Sequence, residues 1–215
     1  MGFVVAIDGP AASGKGTIAV RLGRALGLPV LDTGLLYRAV GVLVLRAGRD
    51  PDDEVAALAA ANTIDSAILE DLDLRTDAAA EAASRIAVHV SVRKALLAYQ
   101  RAFAAREPGA ILDGRDIGSV VAPRAAAKLF VTASPEVRAQ RRWLQLKADG
   151  ALYDEILADI RRRDERDSGR AAAPLVRAED AVLLDTSEMT IDQAADAARR
   201  IVEAARARWE QSRTA

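Results

Sequence analysis

The sequence has no cysteine and a single histidine, His89. Disulfide bonds, thiol nucleophiles, cysteine metal sites and histidine-rich metal clusters are therefore excluded. No apolar run approaches the roughly 20 residues of a membrane-spanning helix, and Met1 leads directly into a predicted strand instead of a signal peptide. The net charge of −1 argues against a general binder of nucleic acid or of membrane surfaces. We expect a cytoplasmic protein that has neither type of partner.

Lysine is also scarce, because only four of the 30 basic residues are lysines. One of them, Lys15, lies in a segment that reads Gly9, Pro10, Ala11, Ala12, Ser13, Gly14, Lys15, Gly16, Thr17. The apolar run Phe3–Ile7 precedes this segment, and a stretch with helical periodicity follows it. A strand, a glycine-rich turn and a helix are the context of a phosphate-binding loop.

The backbone N–H groups of such a loop bind phosphates together with the positive end of the next helix. We predict that Lys15 contacts the outer phosphates and that the Thr17 hydroxyl binds Mg²⁺. Thr17 lies one position later than is usual, because Gly16 follows the lysine. The alternative is a glycine-rich turn that binds nothing, but the spacing, the lysine and the flanking elements favour the phosphate loop.

Apolar runs alternate with helix-period stretches, which is typical of a parallel sheet with helices on both faces. The predicted strands are 3–7, 29–32, 110–113, 127–132 and 181–185. The main predicted helices are 15–26, a helix from Thr33, 89–106, 135–150, a helix from Tyr153, and 190–208. We therefore predict an α/β fold of the P-loop NTPase type with a five-stranded parallel sheet.

The chain is predicted to form one domain, 1–215, with two additions to its core. The core comprises 1–48, 89–150 and 175–215; a small insert that binds the acceptor spans about 49–88, and an arginine-rich lid spans about 151–174. Within the insert, Ile64–Leu74 is predicted to be one short strand or a poor hairpin. Residues 161–170 hold five arginines and three acids. We interpret them as a mobile flap over phosphates; the alternative is a solvated helix face with i,i+4 ion pairs.

Polar residues follow the third predicted strand, at the sheet edge where ligands bind. Asp113 ends this strand, and we predict that it orients Mg²⁺ through water; the alternative is a cap on the next turn. Arg115 and Asp116 are predicted to face the phosphate loop, with a structural ion pair as the alternative. No general base stands out. A phosphate acceptor needs none, since its oxygen is largely ionised at neutral pH (second pKa about 6).

Together these segments resemble the bacterial cytidylate kinase family over nearly the whole chain. The matching segments are Ile7–Thr17, Leu31–Gly34 with Tyr37 and Arg38, Ala83–Ser84, Val92–Arg93, Asp113–Asp116, Arg163–Asp167 with Arg170, and Ala173–Leu175. The resemblance implies Mg²⁺-dependent transfer of the ATP γ-phosphoryl group to CMP or dCMP. We expect these small molecules to be the partners of a monomer.

The resemblance also implies roles for individual residues. Residues Gly9–Thr17 would bind ATP. The cytosine readers would be Ser84, Arg93 and Asp116; the ribose side would be held by Thr33, Arg163 and Asp167; the acceptor phosphate and the transferred group would be bound by Arg38, Arg115 and Arg170. The catalytic residues would be Lys15, Arg115, Arg163 and Arg170. A carboxylate that accepts a hydrogen bond from the cytosine amine would face a carbonyl oxygen, also an acceptor, if uracil were bound instead. A site of this kind rejects the wrong base strongly.

Two features depart from the family pattern. Thr33 stands where many members carry serine, which keeps the hydroxyl and adds a methyl group. The region 62–77 is shorter than the strand-rich insert of typical members, and we expect little more than one strand there. This shortening leaves open the preference between CMP and dCMP.

Other nucleotide-binding classes fit less well. An adenylate kinase would continue Asp-Gly with Phe-Pro-Arg, whereas this chain has Asp-Gly-Arg-Asp at Asp113–Asp116. A shikimate-type kinase would have an acid two places after Asp32, where Gly34 stands. A GTP switch needs Asn-Lys-x-Asp, but the only asparagine, Asn62, precedes Thr63. A regulatory ATPase would end its acidic strand with Asp-Glu.

Overall fold

The computed structural model describes residues 2–65, 67–146 and 152–214. Within it the chain forms two compact units, one built from the residues up to Leu31 and from Ala104 onward, the other from Asp32–Phe103. We call them the sheet unit and the helical unit. The predicted helix stop at Gly150 and the predicted lid boundary at 151 lie outside the described residues.

Five parallel strands form the sheet. They are β1 (Phe3–Asp8), β2 (Val30–Asp32), β3 (Gly109–Gly114), β4 (Ala127–Thr132) and β5 (Val182–Asp185), in the spatial order β2-β3-β1-β4-β5. The central strand β1 is apolar up to Asp8 at its end, as expected for a strand covered on both faces, and Val5 and Ile7 are fully buried. The predicted fold class is confirmed. The segments that follow β1, β3, β4 and β5 all emerge at one edge of the sheet.

The helices of the sheet unit are α1 (Lys15–Leu26), α6 (Pro135–Leu146), α7 (Tyr153–Ser168) and α8 (Ile191–Thr214). The observed α1 has the predicted bounds. Helix α8 runs beyond the predicted end at Arg208, because the ring of Trp209 packs edge-on against Phe3 with the ring centroids 5.4 Å apart. Buried side chains of α1 and α8, among them Leu22 and Val202, join those of the strands in one core.

The helical unit contains α2 (Thr33–Arg46), α3 (Glu54–Ala61), α4 (Asp77–Ile86) and α5, which runs from Val90 to Ala104. Helices α2 and α4 cross closely at Gly41, where a Cβ atom would lie 2.8 Å from the Cβ of Ala82. In the part of the chain that the structure describes, no helix is both long enough and apolar enough to cross a membrane.

The prediction of a strand or hairpin at Ile64–Leu74 is wrong. The described residues there form two short 3₁₀ helices, Ala67–Glu70 and Leu72–Arg75. Aspartate side chains favour these turns over a strand, because Asp65 accepts from the N–H of Ile68 and Asp71 from that of Asp73. Leu74 then packs into a small core with residues of α2 and α4.

Candidate active site

The segment Gly9–Gly14, which forms the turn of the predicted phosphate loop, lies between β1 and α1 and needs glycine at its first position. Gly9 has a φ of +155°, and a Cβ atom there would lie 2.0 Å from the carbonyl oxygen of Val131. Every larger residue would push the start of the loop away from β4. The loop also contains Ala12 with a φ of +58°, a left-handed conformation that is uncommon for a residue other than glycine.

The protein contacts the carbonyl groups on the outer side of the loop. Arg138 donates from Nη1 to the carbonyl oxygen of Ala11 (3.1 Å). The hydroxyl of Thr186 lies 3.4 Å from the carbonyl oxygen of Ser13. Because the C=O and N–H groups of a trans peptide point in opposite directions, the N–H groups of Ala12 and Gly14 point away from these contacts. Such an arrangement favours an anion.

Asp113 lies beside the start of α1. Its side chain is buried, and a Cβ atom on Gly16 would lie 3.4 Å from its Oδ2. Thr17, one residue further along, is exposed. Among the residues that the structure describes, no group of three or more histidine, aspartate or glutamate side chains could hold a metal ion.

Asp8, at the end of β1, holds the segment that follows Asp116. Its carboxylate accepts hydrogen bonds from the N–H groups of Ile117 (2.6 Å) and Gly118 (2.7 Å). Burial raises the pKa of Asp8 to about 6, although both hydrogen bonds act to lower it. Asp8 thereby links the strand before the phosphate loop to buried Asp116. Our sequence predictions gave Asp8 no role, although an acid at the end of an apolar strand could have suggested one.

Three predicted site residues meet at the end of α7. The carboxylate of Asp167 accepts from Nε of Arg115 (2.7 Å) with one oxygen and from Nη2 of Arg170 with the other. The side chains of Asp167 and Arg170 are only 3% and 4% exposed. Burial alone would raise the pKa of Asp167, but the guanidinium groups of Arg115 and Arg170 outweigh it and hold this pKa below its usual range. Arg163 acts in the same direction.

The five arginines of residues 161–170 lie in two different environments. Arg161 and Arg162 are exposed and pair with Glu136 and Asp159. In contrast, Arg163, Arg166 and Arg170 each have a side-chain nitrogen that is buried. One part of this segment is therefore a solvated helix face, and the other part turns guanidinium groups inward.

A second ion pair, which the sequence did not reveal, joins α6 to α7; its arginine is buried, while the side chain of its aspartate, Asp164, is 25% exposed. Arg138 of α6 is 3% exposed at its side chain and binds both carboxylate oxygens of Asp164 (3.0 and 2.5 Å). The pair lines a cleft of about 420 Å³ beyond the ends of β4 and β5, which also contacts Pro10 of the phosphate loop. In the sequence, Arg138 is indistinguishable from the surface charges of α6.

The helical unit holds the other four predicted site residues. Thr33 is buried and begins α2, directly after Asp32, whose carboxylate caps the helix by accepting from the N–H of Gly34 (2.9 Å). Arg38, one turn further, donates to the carbonyl oxygen of Leu74 (2.8 Å). Thr33 and Arg38 thus lie on the first turns of one helix.

Ser84 lies on α4 and Arg93 lies on α5. The hydroxyl of Ser84 is buried and has no hydrogen-bond partner among the described residues, which is rare in a folded protein. Arg93 donates to the carbonyl oxygen of Ala87 (3.3 Å) and lies over the ring of Tyr37, with Cζ 5.7 Å from the ring centroid.

The five-stranded parallel sheet with helices around it is an α/β fold of the P-loop NTPase type. The cytidylate kinase family model matches residues 5–204, and the chain belongs to the cytidylate kinase family. It is a nucleoside monophosphate kinase.

Named relatives agree with this assignment. The cytidylate kinase of Caulobacter sp. (strain K31) is 65% identical over 211 residues, which cover 97% of this chain and 98% of that protein. The cytidylate kinase of Xanthobacter autotrophicus (strain ATCC BAA-1158 / Py2) is 61% identical over 207 residues, covering 95% and 99%. A crystal structure of an uncharacterized protein from Eubacterium ventriosum ATCC 27560 has a TM-score of 0.57 at 13% identity, with 95% and 99% coverage. This last likeness concerns the fold alone.

Proposed function

We propose that the chain transfers the γ-phosphoryl group of ATP to CMP or dCMP, giving ADP and CDP or dCDP, in a Mg²⁺-dependent in-line displacement. The observation that carries this proposal is the buried cluster of Arg115, Asp167 and Arg170 in the same unit as the phosphate loop. Cations fixed in a buried site stabilise the charge of a transferring phosphoryl group far better than cations in water do.

The donor is assigned to the phosphate loop and to the cleft beside it. Residues Gly9–Thr17 would bind the ATP phosphates through backbone N–H groups, with Lys15 on the outer phosphates. The cleft lined by Pro10, Arg138 and Ser187 is of a size to take the donor nucleoside.

Mg²⁺ fits the residues at the start of α1. Asp113 and the exposed Thr17 offer oxygen ligands there, with Asp113 acting through water. When bound, Mg²⁺ would neutralise charge on the donor phosphates.

Cytosine is assigned to Ser84, Arg93 and Asp116. A buried serine hydroxyl with no partner among the described residues is costly unless a ligand pairs with it. A carboxylate accepts from the exocyclic amine of cytosine, and an arginine donates to N3 and O2. Uracil would present an oxygen acceptor to Asp116, so the same site would reject UMP.

The rest of the acceptor is assigned to two sets of residues. Thr33, Arg163 and Asp167 would contact the ribose side, while Arg38, Arg115 and Arg170 would bind the acceptor phosphate. Arg115, Arg163 and Arg170, with Lys15, would also stabilise the transferred group. Asp167 accepts from two guanidinium groups, and a carboxylate has about four acceptor positions. Asp167 can therefore orient the arginines and still accept from a ribose hydroxyl.

No general base is needed in this mechanism. The acceptor phosphate is largely ionised at neutral pH, with a second pKa of about 6. Positioning and neutralisation of charge then supply the catalysis.

We further propose a cytoplasmic monomer with a core of 1–48, 89–150 and 175–215. The acceptor insert would span about 49–88 and the lid about 151–174.

The test is ADP release from ATP with and without CMP, each with Mg²⁺ and with a chelator. We expect release that requires both CMP and Mg²⁺. ADP release at the same rate without CMP would contradict the proposed function.

A further inference from the structure

The buried guanidinium group of Arg138 donates to two backbone carbonyl oxygens and to one carboxylate. Its Nε donates to the carbonyl oxygen of Ala133 (2.9 Å), at the entry to α6. Its Nη1 reaches the carbonyl oxygen of Ala11 (3.1 Å), inside the phosphate loop. Both terminal nitrogens bind the carboxylate of Asp164 on α7. One rigid guanidinium group therefore joins the segment between β4 and α6, the phosphate loop and the arginine-rich helix α7.

The loop carbonyl that Arg138 holds belongs to the residue before Ala12. Ala12 has the left-handed backbone conformation, with a φ of +58°, which crowds the Cβ atom of any residue except glycine. Strain of this kind persists only where surrounding contacts enforce it. The hydrogen bond from Arg138 restrains the adjacent Ala11–Ala12 peptide plane and with it the direction of the Ala12 N–H.

We propose that Arg138, held by Asp164, is a positioning residue that keeps the phosphate loop in the conformation that binds ATP. This inference rests on the proposed function, because it takes the loop to be the ATP site. Arg138 also lines the cleft assigned to the donor nucleoside, but the inferred effect runs through the loop backbone, and its coupling to position 12 distinguishes it from a direct contact with ATP. Asp164 fixes the guanidinium so that its donors meet the carbonyl oxygen of Ala11.

Packing of α6 on α7 does not account for the ion pair of buried Arg138 with Asp164. Those helices already share an apolar contact of Ala139, Ile156 and Ile160, flanked by Trp143. They also share the exposed ion pair of Arg161 with Glu136, whose side chains are 60% and 52% exposed. The pair of Arg138 and Asp164 differs from the pair of Arg161 and Glu136 because Arg138 also contacts the phosphate loop.

The first experiment replaces Arg138 by lysine, which keeps the positive charge. One ammonium group cannot reproduce the planar fork that meets Ala133, Ala11 and Asp164 together. We expect ATP to bind about ten-fold more weakly to the R138K variant in equilibrium titration, since hydrogen bonds to charged groups have effects of this size. The KM for CMP should stay within two-fold of the wild-type value. Arg161→Lys, at the exposed pair between the same helices, is the matched control and should change neither quantity.

The second experiment asks whether the loop conformation is what Arg138 controls. Ala12→Gly removes the crowding at the left-handed position, so it should recover several-fold of the lost ATP affinity in the R138K background. It should give a smaller gain in the wild-type background, because there the arginine already enforces the conformation. The double-mutant cycle of Arg138→Lys and Ala12→Gly measures this coupling.

Asp164→Asn tests the carboxylate separately and leaves Arg138 in place. It should also weaken ATP binding more than CMP binding, by a smaller factor than Arg138→Lys. Circular dichroism of each variant checks that it is folded.

Three results would overturn the inference. They are ATP affinity within two-fold of wild type in both R138K and D164N, equal losses for ATP and CMP, and no coupling between positions 12 and 138. If wild type itself fails to bind ATP, the proposed function fails instead. The two failures are thus distinguishable.

Discussion

The buried carboxylate of Asp167 is the strongest point at which to test the arginine cluster. Asp167→Asn keeps the shape of the side chain, removes its charge and leaves one acceptor oxygen for two guanidinium groups, those of Arg115 and Arg170. Removing one member of a buried ion pair costs about 3–5 kcal/mol. The retained amide oxygen of the D167N variant reduces this cost, and a hydrogen bond to a charged group contributes about 1.5–3 kcal/mol. We therefore expect a loss of about 2–3 kcal/mol in the free energy of unfolding. For a chain of this length the loss corresponds to a fall in Tm of roughly 4–12 °C.

The same change should lower kcat, because both arginines lose the group that orients them. A displacement of about 1 Å in such groups costs about 100-fold in rate. We expect a loss of kcat of that order with both CMP and dCMP, since the two arginines act on the phosphates, whereas the ribose contact proposed for Asp167 would be seen in KM. Asp159→Asn is the matched control: Asp159 also lies on α7, but its ion pair with Arg162 is exposed. That control should stay within about 0.5 kcal/mol in stability and keep its activity.

The pH dependence of the free energy of unfolding independently measures the stabilising effect of the Asp167 carboxylate. Its pKa is lowered in the folded state by Arg115 and Arg170, so its stabilising effect is fully present above the unfolded pKa of about 3.9. That effect is lost as the pH falls through the lower pKa of the folded state. The difference in unfolding free energy between wild type and the D167N variant should therefore be large at pH 7 and shrink below about pH 4. An unchanged kcat, or a loss seen with CMP and absent with dCMP, would refute the orienting role.

Three further predictions test other parts of the site. Asp116→Ala should raise the KM for CMP by about 100-fold or more, because a site that forms hydrogen bonds with its substrate loses much of its affinity when one of them is removed. ATP binding should be nearly unchanged. Equal losses for CMP and ATP would contradict the role of Asp116 in binding cytosine. Burial raises the pKa of Asp8 to about 6, so the folded state holds this proton more tightly than the unfolded state and loses that stabilisation as the pH rises through about 6. The free energy of unfolding of wild type, measured with urea, should therefore fall by up to about 3 kcal/mol between pH 4 and pH 7 relative to the D8N variant. Gly9→Ala should abolish detectable ATP binding, because its Cβ would lie 2.0 Å from the carbonyl oxygen of Val131; normal affinity would disprove the close approach.

Periodicity and loop chemistry were enough to predict the sheet and the first helix. Helix α1 has the predicted bounds of Lys15–Leu26, and β4 those of 127–132. These elements are predictable because their apolar residues are covered by neighbours in a regular pattern. Ile64–Leu74 failed because its apolar residues are spaced by aspartates whose side chains cap local turns.

The contacts around the candidate site were less predictable than its residue types. Arg138 and Asp164 lie 26 positions apart, and their burial depends on the packing of two helices. A charge on a helix is usually solvated, so nothing in the sequence marks Arg138 as buried or Asp164 as its partner. Asp167 was assigned from the family resemblance to the ribose side. Its contacts with Arg115 and Arg170 require the folded end of α7.

The most direct test of the proposed function is a coupled ADP-release assay with ATP, Mg²⁺ and, in turn, CMP, dCMP, UMP, AMP, GMP and shikimate. We predict strong turnover with CMP and dCMP and none above background with the others. Turnover with UMP equal to that with CMP would contradict the reading of cytosine by Asp116. ADP release independent of every acceptor would contradict the proposed kinase reaction itself.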